Sequence, residues 1–324
     1  MFFSVVVPTH KRKHLLLKLL QSLQKQHLPP DEFEVIVIAT AKDEAFDLLL
    51  EFQPNFCWQI QAIPNDPFSG RSAAAKRNYG VQLASAPWIA FVDDDCITSP
   101  EWLETAKKTI TKEQPHMVEG QVVIPTPKKK TLTYKGLLRL SQAGGYQTCN
   151  MFYKKSDFVQ IGGFDLNFPF YLEDTDLAWS FLEKNKKSVY AVGAIVEHPV
   201  PPPDPSRMLQ SAFRMEKLSY LYKKHPQLYR GSKMRALPRV YFLMSLFDLG
   251  ILTTLLNLKL SWLAILIGLR LLLTLLYSRR LFKNCEVAPA EYLATFYYLM
   301  ICPLISVFQL LKGNITHRVW LFLR

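Results

Sequence analysis

The sequence lacks any paired arrangement of cysteines. Its five cysteines are scattered, and no CxxC motif occurs among them; they are Cys57, Cys96, Cys149, Cys285 and Cys302. Disulfide frameworks and structural zinc sites need paired or closely spaced cysteines, so neither is expected here. Reduced thiols in a cytoplasmic environment are the simpler interpretation.

The pattern of a cleavable secretory signal is absent from the first residues. The opening MFFSVVVPTHKRK has only a short apolar run, and its charges follow that run instead of preceding it. A secretory signal has the opposite order and a longer apolar core. We therefore expect the first strand of a folded domain to begin almost at residue 1.

Acidic residues are scarce in the last third of the chain. Residues 207–324 contain 17 Lys and Arg against 4 Asp and Glu, whereas residues 1–206 contain 22 against 23. The net charge of +12 therefore arises in the last third, which also holds the apolar stretches 240–258, 261–277 and 292–311. Basic residues beside apolar stretches fit an anionic membrane surface better than nucleic acid, so we expect no nucleic-acid partner.

Apolar runs alternate with a helical pattern in the first hundred residues. Phe2–Val7, Glu34–Ala39 and Trp88–Val92 are predicted as buried strands, and His14–Gln26 has leucines at helical spacing. This alternation predicts an α/β fold with a mostly parallel sheet covered by helices on both faces. Ligands on such sheets bind at the carboxyl ends of the strands, so the residues that follow each strand are candidates for a site.

Carboxylates cluster at one of these strand ends. Asp93, Asp94 and Asp95 directly follow the strand predicted at Trp88–Val92. Three adjacent carboxylates repel one another unless a cation lies among them. Carboxylate oxygens suit Mg²⁺ or Mn²⁺, which in turn bridge the phosphates of a nucleotide. A solvated acidic turn is the alternative.

A second acidic cluster follows an aromatic run near residue 170. It consists of Glu173, Asp174 and Asp176, and His198 follows a further strand predicted at 188–196. Glu173 and Asp176 have a simpler interpretation as acids in a first helical turn that complement the helix dipole, and we favour it for Asp176. For His198 the alternative is an ordinary residue at a strand end.

Six short elements together resemble the inverting family-2 glycosyltransferases with the GT-A fold, of the membrane-attached bacterial type. In order, they are SVVVPTHKR at 4–12, AKRNYG at 75–80, FVDDD at 91–95, GGFD at 162–165, EDTDLAW at 173–179 and His198. Six elements in the family's order are much harder to obtain by chance than any one of them. The resemblance implies transfer of a sugar from a nucleotide-sugar donor to an acceptor hydroxyl, with Mn²⁺ or Mg²⁺ as cofactor.

The resemblance also implies roles for individual residues. Asp174 matches the general base that deprotonates the acceptor. The residues expected to contact the nucleotide sugar are Pro8, Thr9, Arg77, Asp93 and Asp94. The metal is expected to be held by Asp95, Asp93 and His198. Glu173 and Asn150 are expected either to contact the acceptor or to support the site. Lys76 is expected to face solvent.

Two positions depart from the family's pattern. Members of the family usually carry acids after the second strand, one of which contacts the base, where this sequence has Ala39 and Thr40. Recognition of the base then falls to another residue, such as Asp43 or Asp66, and the identity of the base stays open. Ser180 stands where many members have arginine.

Two other functions remain as alternatives. A sugar-phosphate nucleotidyltransferase needs a glycine-rich basic loop after the first strand, and PTHKRKH contains no glycine. A membrane-attached protein that binds a nucleotide sugar without turnover is favoured by Ala39 and Thr40, whereas the two intact acidic clusters argue against it.

The C-terminal part predicts membrane attachment. PVPPPDP at 199–205 is predicted as an extended linker. It separates a GT-A catalytic domain at 1–206 from a basic amphipathic connector of one or two helices at 207–239, followed by membrane-associated helices at 240–324. A soluble helical domain is the alternative for this last part.

Two apolar stretches contain one charge each. Val240–Leu258 contains Asp248 and Ser261–Tyr277 contains Arg270, and either charge alone is costly in lipid. In an antiparallel hairpin that turns near Lys259 the two charges lie side by side, so we predict that they pair.

The basic residues indicate an orientation. Arg279, Arg280 and Lys283 precede the third apolar stretch, so the positive-inside rule places that loop and the catalytic domain in the cytoplasm. The basic tail 312–324 prefers the same side, which leaves open whether 292–311 spans, re-enters or lies flat. We expect a protein of the cytoplasmic membrane that acts on a lipid-linked or cell-surface glycan.

Overall fold

The structure, a computed structural model, divides into two compact units. It describes residues 1–64, 72–232, 234, 236–258 and 260–321. One unit contains Met1–Pro125 and Leu137–Val200, and the other contains Thr126–Gly136 and Pro201–Arg324. Asp66 and Lys259, which the sequence analysis named, lie outside the described residues.

The first unit is built on an eight-stranded mixed sheet. Its strands are β1 Phe3–Pro8, β2 Phe33–Ala39, β3 Cys57–Ala62, β4 Trp88–Phe91, β5 Ile97–Thr98, β6 Met117–Val123, β7 Met151–Lys154 and β8 Ser188–Glu197. Their order is β3-β2-β1-β4-β7-β6-β8-β5. β1 pairs in parallel with β2 and β4, as do β2 with β3 and β6 with β8. β7 runs antiparallel to β4 and β6, and β5 antiparallel to β8.

The helices alternate with these strands and then dominate the second unit. They are α1 Lys13–Leu23, α2 Leu48–Glu51, α3 Ala73–Leu83, α4 Trp102–Glu113, α5 Leu132–Leu137, α6 Lys155–Ile161, α7 Glu173–Glu183, α8 Arg207–Phe213, α9 Glu216–Lys224, α10 Pro226–Gly231, α11 Arg239–Leu256, α12 Leu260–Leu281 and α13 Pro289–His317. The predicted α/β fold followed by apolar C-terminal helices is confirmed.

Both faces of the central strands are covered. Every residue of β1 and β2 is buried, as expected for strands that lie between two layers of helices. α3 lies directly on β1 because residue 80 is glycine: a Cβ there would come within 2.4 Å of Val6. On β7, Tyr153 packs on Phe181 of α7, with ring centroids 4.9 Å apart. Its neighbour Phe152 points to the opposite face, where its ring packs on that of Trp102 in α4.

The connector is divided more finely than the sequence predicted. One or two helices were expected over 207–239, and the structure has three short ones, α8, α9 and α10. α10 begins at Pro226, a residue that cannot continue α9 because it lacks a backbone N–H but suits the first turn of a new helix.

The last three helices are long and apolar enough to cross a membrane. The qualifying segments Arg239–Leu256, Ser261–Leu281 and Pro289–His317 have 18, 21 and 29 residues, with mean hydropathies of 1.5, 1.8 and 1.7. Only 11%, 17% and 33% of their most apolar windows are buried within the protein. Such large exposed apolar surfaces are expected of helices that contact lipid.

The predicted pairing of two charges among these helices is confirmed. Arg270 is fully buried, and its Nε donates to Oδ1 of Asp248 at 2.8 Å. The same guanidinium donates to the carbonyl oxygens of Leu299 and Met300 at 3.0 and 3.1 Å. In a regular helix the Leu299 carbonyl would accept from residue 303, which is proline and has no N–H. Arg270 therefore binds a carboxylate on α11 and the acceptor that Pro303 leaves open on α13.

Candidate active site

An open cleft of about 510 Å³ lies at the carboxyl ends of β1 and β4. It is lined by Pro8, Thr9, His10, Arg12, Ala73, Lys76, Arg77, Asp93, Asp94, Asp95 and Glu173. The cleft is at the edge where parallel strands direct their carboxyl ends, the position at which such sheets bind ligands. It brings the two acidic clusters of the sequence together.

Arg77 links the two acidic clusters. It lies on α3 with only 4% of its side chain exposed, and its NH2 group donates to Oδ1 of Asp93 at 2.5 Å. Its NH1 group lies 3.7 Å from Oε1 of Glu173. Burial opposes the positive charge, but Asp93 and Glu173 outweigh it and raise the pKa of Arg77. Among the described residues, the buried Nε and NH1 atoms of Arg77 have no hydrogen-bond partner.

Asp94 is held at the end of β1. Its carboxylate accepts from Thr9 Oγ1 at 2.8 Å and from Arg12 NH1 at 3.1 Å. Burial raises the pKa of Asp94 to about 6, although the Thr9 hydroxyl and the Arg12 guanidinium act in the opposite direction. Arg12 also reaches Asp95 at 3.2 Å. The sequence analysis assigned Arg12 no role, although it lies four residues beyond the end of β1.

The prediction that Lys76 faces solvent is wrong. Its side chain is 2% exposed, and its ammonium donates to the carbonyl oxygen of Thr9. The preceding residues 73–75 are all alanine, and such small side chains let α3 lie close to the end of β1, which covers Lys76. The sequence feature that could have indicated the burial of Lys76 is its position directly after a run of alanines at the start of a helix.

Asp95 and His198 come together although 102 positions separate them in the sequence. Ligand atoms of Asp95, Cys96 and His198 all lie within 4.8 Å of one another. The His198 Nδ1 atom is 2.9 Å from the carbonyl oxygen of Pro199. Because a carbonyl only accepts, Nδ1 carries the hydrogen and Nε2 keeps its lone pair for a metal. A carboxylate and an imidazole beside an open cleft are a donor set that fits a divalent cation.

Among the described residues, Asp93 does not belong to this three-residue group. Its carboxylate is engaged by Arg77 instead. The two contacts expected of Asp93, with the nucleotide and with the metal, both stay predictions.

Asp174 and Glu173 begin α7 beside the cleft. Oδ1 of Asp174 accepts from the backbone N–H of Thr175 at 2.7 Å. Burial raises the pKa of Asp174, whereas the Thr175 N–H and Arg77 favour its ionised form. Burial, and then the charge of Asp174, raise the pKa of Glu173 to about 7. Two neighbouring carboxyl groups that interact in this way can divide the roles of base and neutral partner.

The backbone at the start of α7 is unusual. Leu172 has a φ of 70°, in the left-handed region that leucine rarely adopts. Asp176 lies in the first turn of α7 with Glu173 and Asp174, and its backbone N–H donates to the Leu172 carbonyl. Asp176 therefore has the first-turn position that the sequence analysis favoured for it. Strained backbone of this kind is concentrated at functional sites.

Two predicted contacts have other partners in the structure. Asn150 is fully buried, and it bonds to Trp102 Nε1 and to the carbonyl oxygens of Gln121 and Ala194. This burial leaves it no surface for an acceptor, so only a supporting role is compatible with its position. Asp43, named for base recognition, is buried and accepts from the backbone N–H groups of Lys11 and Ala45.

Residues 4–174 match the family model "Glycosyl transferase family 2". Glycosyltransferase AglE of Haloferax volcanii is 25% identical over 172 residues, which are 50% of this chain and 56% of that protein. Validoxylamine A glucosyltransferase of Streptomyces hygroscopicus subsp. limoneus is 33% identical over 103 residues, 32% of this chain and 22% of that protein. The chain thus spans only about half, or less, of the length of these relatives.

Solved structures have the same fold. TarS 1–349 of Staphylococcus aureus, in complex with UDP-GlcNAc, matches with a TM-score of 0.53 and 15% identity over 98% of this chain and 92% of that one. Mannosyltransferase PcManGT from Pyrobaculum calidifontis, in complex with GDP-Man and Mn²⁺, matches with a TM-score of 0.54 and 16% identity over 96% and 86%. The family model covers more than half of the sequence. The chain therefore belongs to glycosyl transferase family 2.

Proposed function

We propose that this glycosyltransferase is metal-dependent and inverting, and that it moves a sugar from a nucleotide sugar to a lipid-linked or cell-surface glycan. The observation that carries the proposal is Arg77, buried between Asp93 on one side and Glu173 beside Asp174 on the other. In an inverting transfer the acceptor hydroxyl attacks the anomeric carbon from the face opposite the nucleoside diphosphate. The site then needs one acidic group that accepts the proton of the hydroxyl and a separate region that binds the diphosphate.

The donor is proposed to lie along the ends of β1 and β4. Pro8 and Thr9 form the turn under the nucleoside, with Asp93 and Asp94 beside it. The unpartnered N–H groups of Arg77 are suited to a phosphate oxygen, since guanidinium groups bind phosphates through charge-assisted hydrogen bonds. The complexes of TarS with UDP-GlcNAc and of PcManGT with GDP-Man support a nucleotide-sugar donor and leave its base open.

Asp95 and His198 are proposed to hold Mn²⁺ or Mg²⁺, with Asp93 near the same phosphates. An imidazole nitrogen beside a carboxylate suits Mn²⁺ better than Mg²⁺, which prefers oxygen ligands. When bound, the cation would neutralise the charge that develops on the departing diphosphate. The Mn²⁺ in PcManGT supports the choice of a divalent cation.

Asp174 is proposed as the general base. It accepts the proton of the acceptor hydroxyl while Glu173, with its pKa raised to about 7, carries a proton for part of the time. A protonated Glu173 removes a like charge from beside Asp174 and so favours the ionised form that a base requires. The Thr175 N–H bond fixes the orientation of the Asp174 carboxylate.

The catalytic domain 1–206 is proposed to be held at the cytoplasmic membrane. In this view the connector 207–239 lies on the membrane surface and the helices within 240–324 enter it. The basic loop after α12 supports a cytoplasmic position for the catalytic domain, where nucleotide sugars are made.

The test is release of nucleoside diphosphate by the detergent-purified full chain. UDP-, GDP- and dTDP-sugars are supplied in turn, each with Mn²⁺, with Mg²⁺ or with a chelator, and a membrane-lipid extract serves as acceptor. We expect release from one donor that requires the metal and the extract. Tight metal-dependent binding of a nucleotide without release from any donor would overturn the proposal in favour of a binding protein.

A further inference from the structure

A second cavity lies within the second unit, at one end of the α11–α12 pair, and has a volume of about 780 Å³. α11 begins and α12 ends here, and the rings of Tyr241 and Tyr277 meet with their centroids 6.0 Å apart. α5 completes the wall, because Lys135 donates to the carbonyl oxygens of Leu281 and Lys283 at 3.0 and 3.2 Å. The cavity is therefore built from three elements of one unit.

Three cations line this cavity without an acid. Lys135, Arg239 and Arg280 are among its eleven lining residues, none of which is Asp or Glu. Within the described part of the chain, Arg239 and Arg280 have no carboxylate partner. Converging cations without a counter-charge repel one another, and their positive potential attracts an anion.

The remaining wall is apolar and belongs to a candidate membrane helix. Leu273, Leu276 and Tyr277 follow one another at helical spacing on α12 and line the cavity together. α12 is long and apolar enough to cross a bilayer, so a cavity at its basic end lies at the depth of lipid headgroups. The cavity thus combines an anion site with a surface for a hydrocarbon chain.

We propose that this cavity binds a lipid whose phosphate headgroup carries two negative charges, with its hydrocarbon chain along Leu273 and Leu276. Arginine presents paired donors that match phosphate oxygens. Three cations are better neutralised by a phosphate monoester or a diphosphate than by a phosphodiester lipid with a single charge. The inference that such a lipid carries the acceptor rests on the proposed function. A glycan joined to a lipid through a diphosphate has the same two charges and still offers a sugar hydroxyl.

The test uses dioleoyl phosphatidic acid as the probe, bound to the full chain in detergent micelles and counted by native mass spectrometry. No donor or metal is added, so the result does not depend on sugar transfer. We expect phosphatidic acid to bind more tightly than phosphatidylglycerol. The double variant Arg239→Gln/Arg280→Gln should lose about thirtyfold in affinity, on the scale expected for two basic residues at a membrane surface.

The chain offers a matched control. Arg279 is exposed and adjacent to Arg280 but does not line the cavity, so Arg279→Gln is compared with Arg280→Gln alone. Each removes one positive charge, and only Arg280→Gln should lower the affinity. Arg239→Lys/Arg280→Lys keeps the charge and should retain most of the binding, which separates loss of a site from loss of folding.

Three outcomes would overturn the inference. Equal affinity for phosphatidylglycerol would mean that the surface responds only to membrane charge, and an equal loss in Arg279→Gln would mean the same. Full competition by inorganic phosphate would indicate a site for free phosphate. None of these three outcomes would contradict the proposed sugar transfer. Conversely, lipid binding as expected in a protein that releases no nucleoside diphosphate would contradict only the proposed function.

Discussion

Burial is the main cause of the shifted carboxyl groups at the scale of single residues. It raises the pKa of Asp94 to about 6 and, together with the neighbouring charge of Asp174, the pKa of Glu173 to about 7. Arg77 and Arg12 act against these shifts and keep the acids partly ionised. Carboxyl groups poised near neutrality in an open cleft are typical of catalytic sites.

The proposed base gives the activity a defined dependence on pH. Asp174 must be ionised to accept a proton, and because its pKa is raised, activity should fall at a higher pH than for an ordinary aspartate as the solution is acidified. With its pKa raised to about 7, Glu173 is already largely neutral on the acid limb, and Glu173→Gln mimics that neutral form. We therefore expect Glu173→Gln to leave the acid limb of the kcat/KM profile in place. An acid limb that moves to lower pH in this variant would show that Glu173 is ionised beside Asp174 in the range where Asp174 titrates.

The sequence identified the acids of the cleft more readily than its cations. Asp93, Asp94 and Asp95 follow an apolar strand, so their place at the edge of the sheet could be predicted from local pattern alone. Lys76 could not be assigned in this way, because the burial of a long cationic side chain depends on how closely a helix approaches the sheet. Arg12 could not either, because its side chain is half exposed and its contacts with Asp94 and Asp95 join distant parts of the sequence.

At the scale of elements, Arg270 joins three helices. It binds Asp248 on α11 and the carbonyl that Pro303 frees on α13, while α12 carries it. The pairing within the hairpin could be predicted from the spacing of the two charges. The contact with α13 could not, because it depends on how a third helix packs.

Substitutions at this junction should behave non-additively. Arg270→Leu leaves Asp248 in an apolar helix without its counter-charge, so we expect a loss of membrane insertion, measured by extraction of the membrane fraction with alkaline carbonate. Adding Asp248→Leu should restore most of the insertion. Adding Pro303→Ala should restore more, since alanine supplies the N–H that the Leu299 carbonyl lacks. Independent, additive effects of Arg270→Leu and Asp248→Leu would contradict the coupling.

The local sequence pattern predicts individual strands but not the order and direction of all strands in the sheet. The parallel strands β1, β2 and β4 are continuous apolar runs, and these were recognised. β7 pairs antiparallel between β4 and β6, a long-range arrangement that hydrophobic periodicity does not encode. The same holds for Asp95 and His198, which meet because β5, just after Asp95, pairs antiparallel with the end of β8.

At the scale of the whole molecule, the basic residues predict which side of the membrane the loops face. Cys285 lies in the segment that joins α12 to α13, close to Arg280 and Lys283. If that segment is cytoplasmic, an impermeant maleimide should label Cys285 only after the cells are opened. Cys57→Ser serves as the background, because Cys57 is exposed and would react with the maleimide as well. Labelling of Cys285 on intact cells would reverse the proposed orientation.

The proposed sugar transfer depends on Asp174 acting as the base within an intact donor site. The most direct measurement is the rate of sugar transfer by Asp174→Asn, compared with Asp176→Asn on the same helical turn, with donor and metal binding measured separately for each. We predict that Asp174→Asn loses about 10²–10⁴-fold in rate while it still binds the donor, and that Asp176→Asn retains transfer. Transfer at an unchanged rate in Asp174→Asn, or an equal loss in both variants, would contradict the central claim.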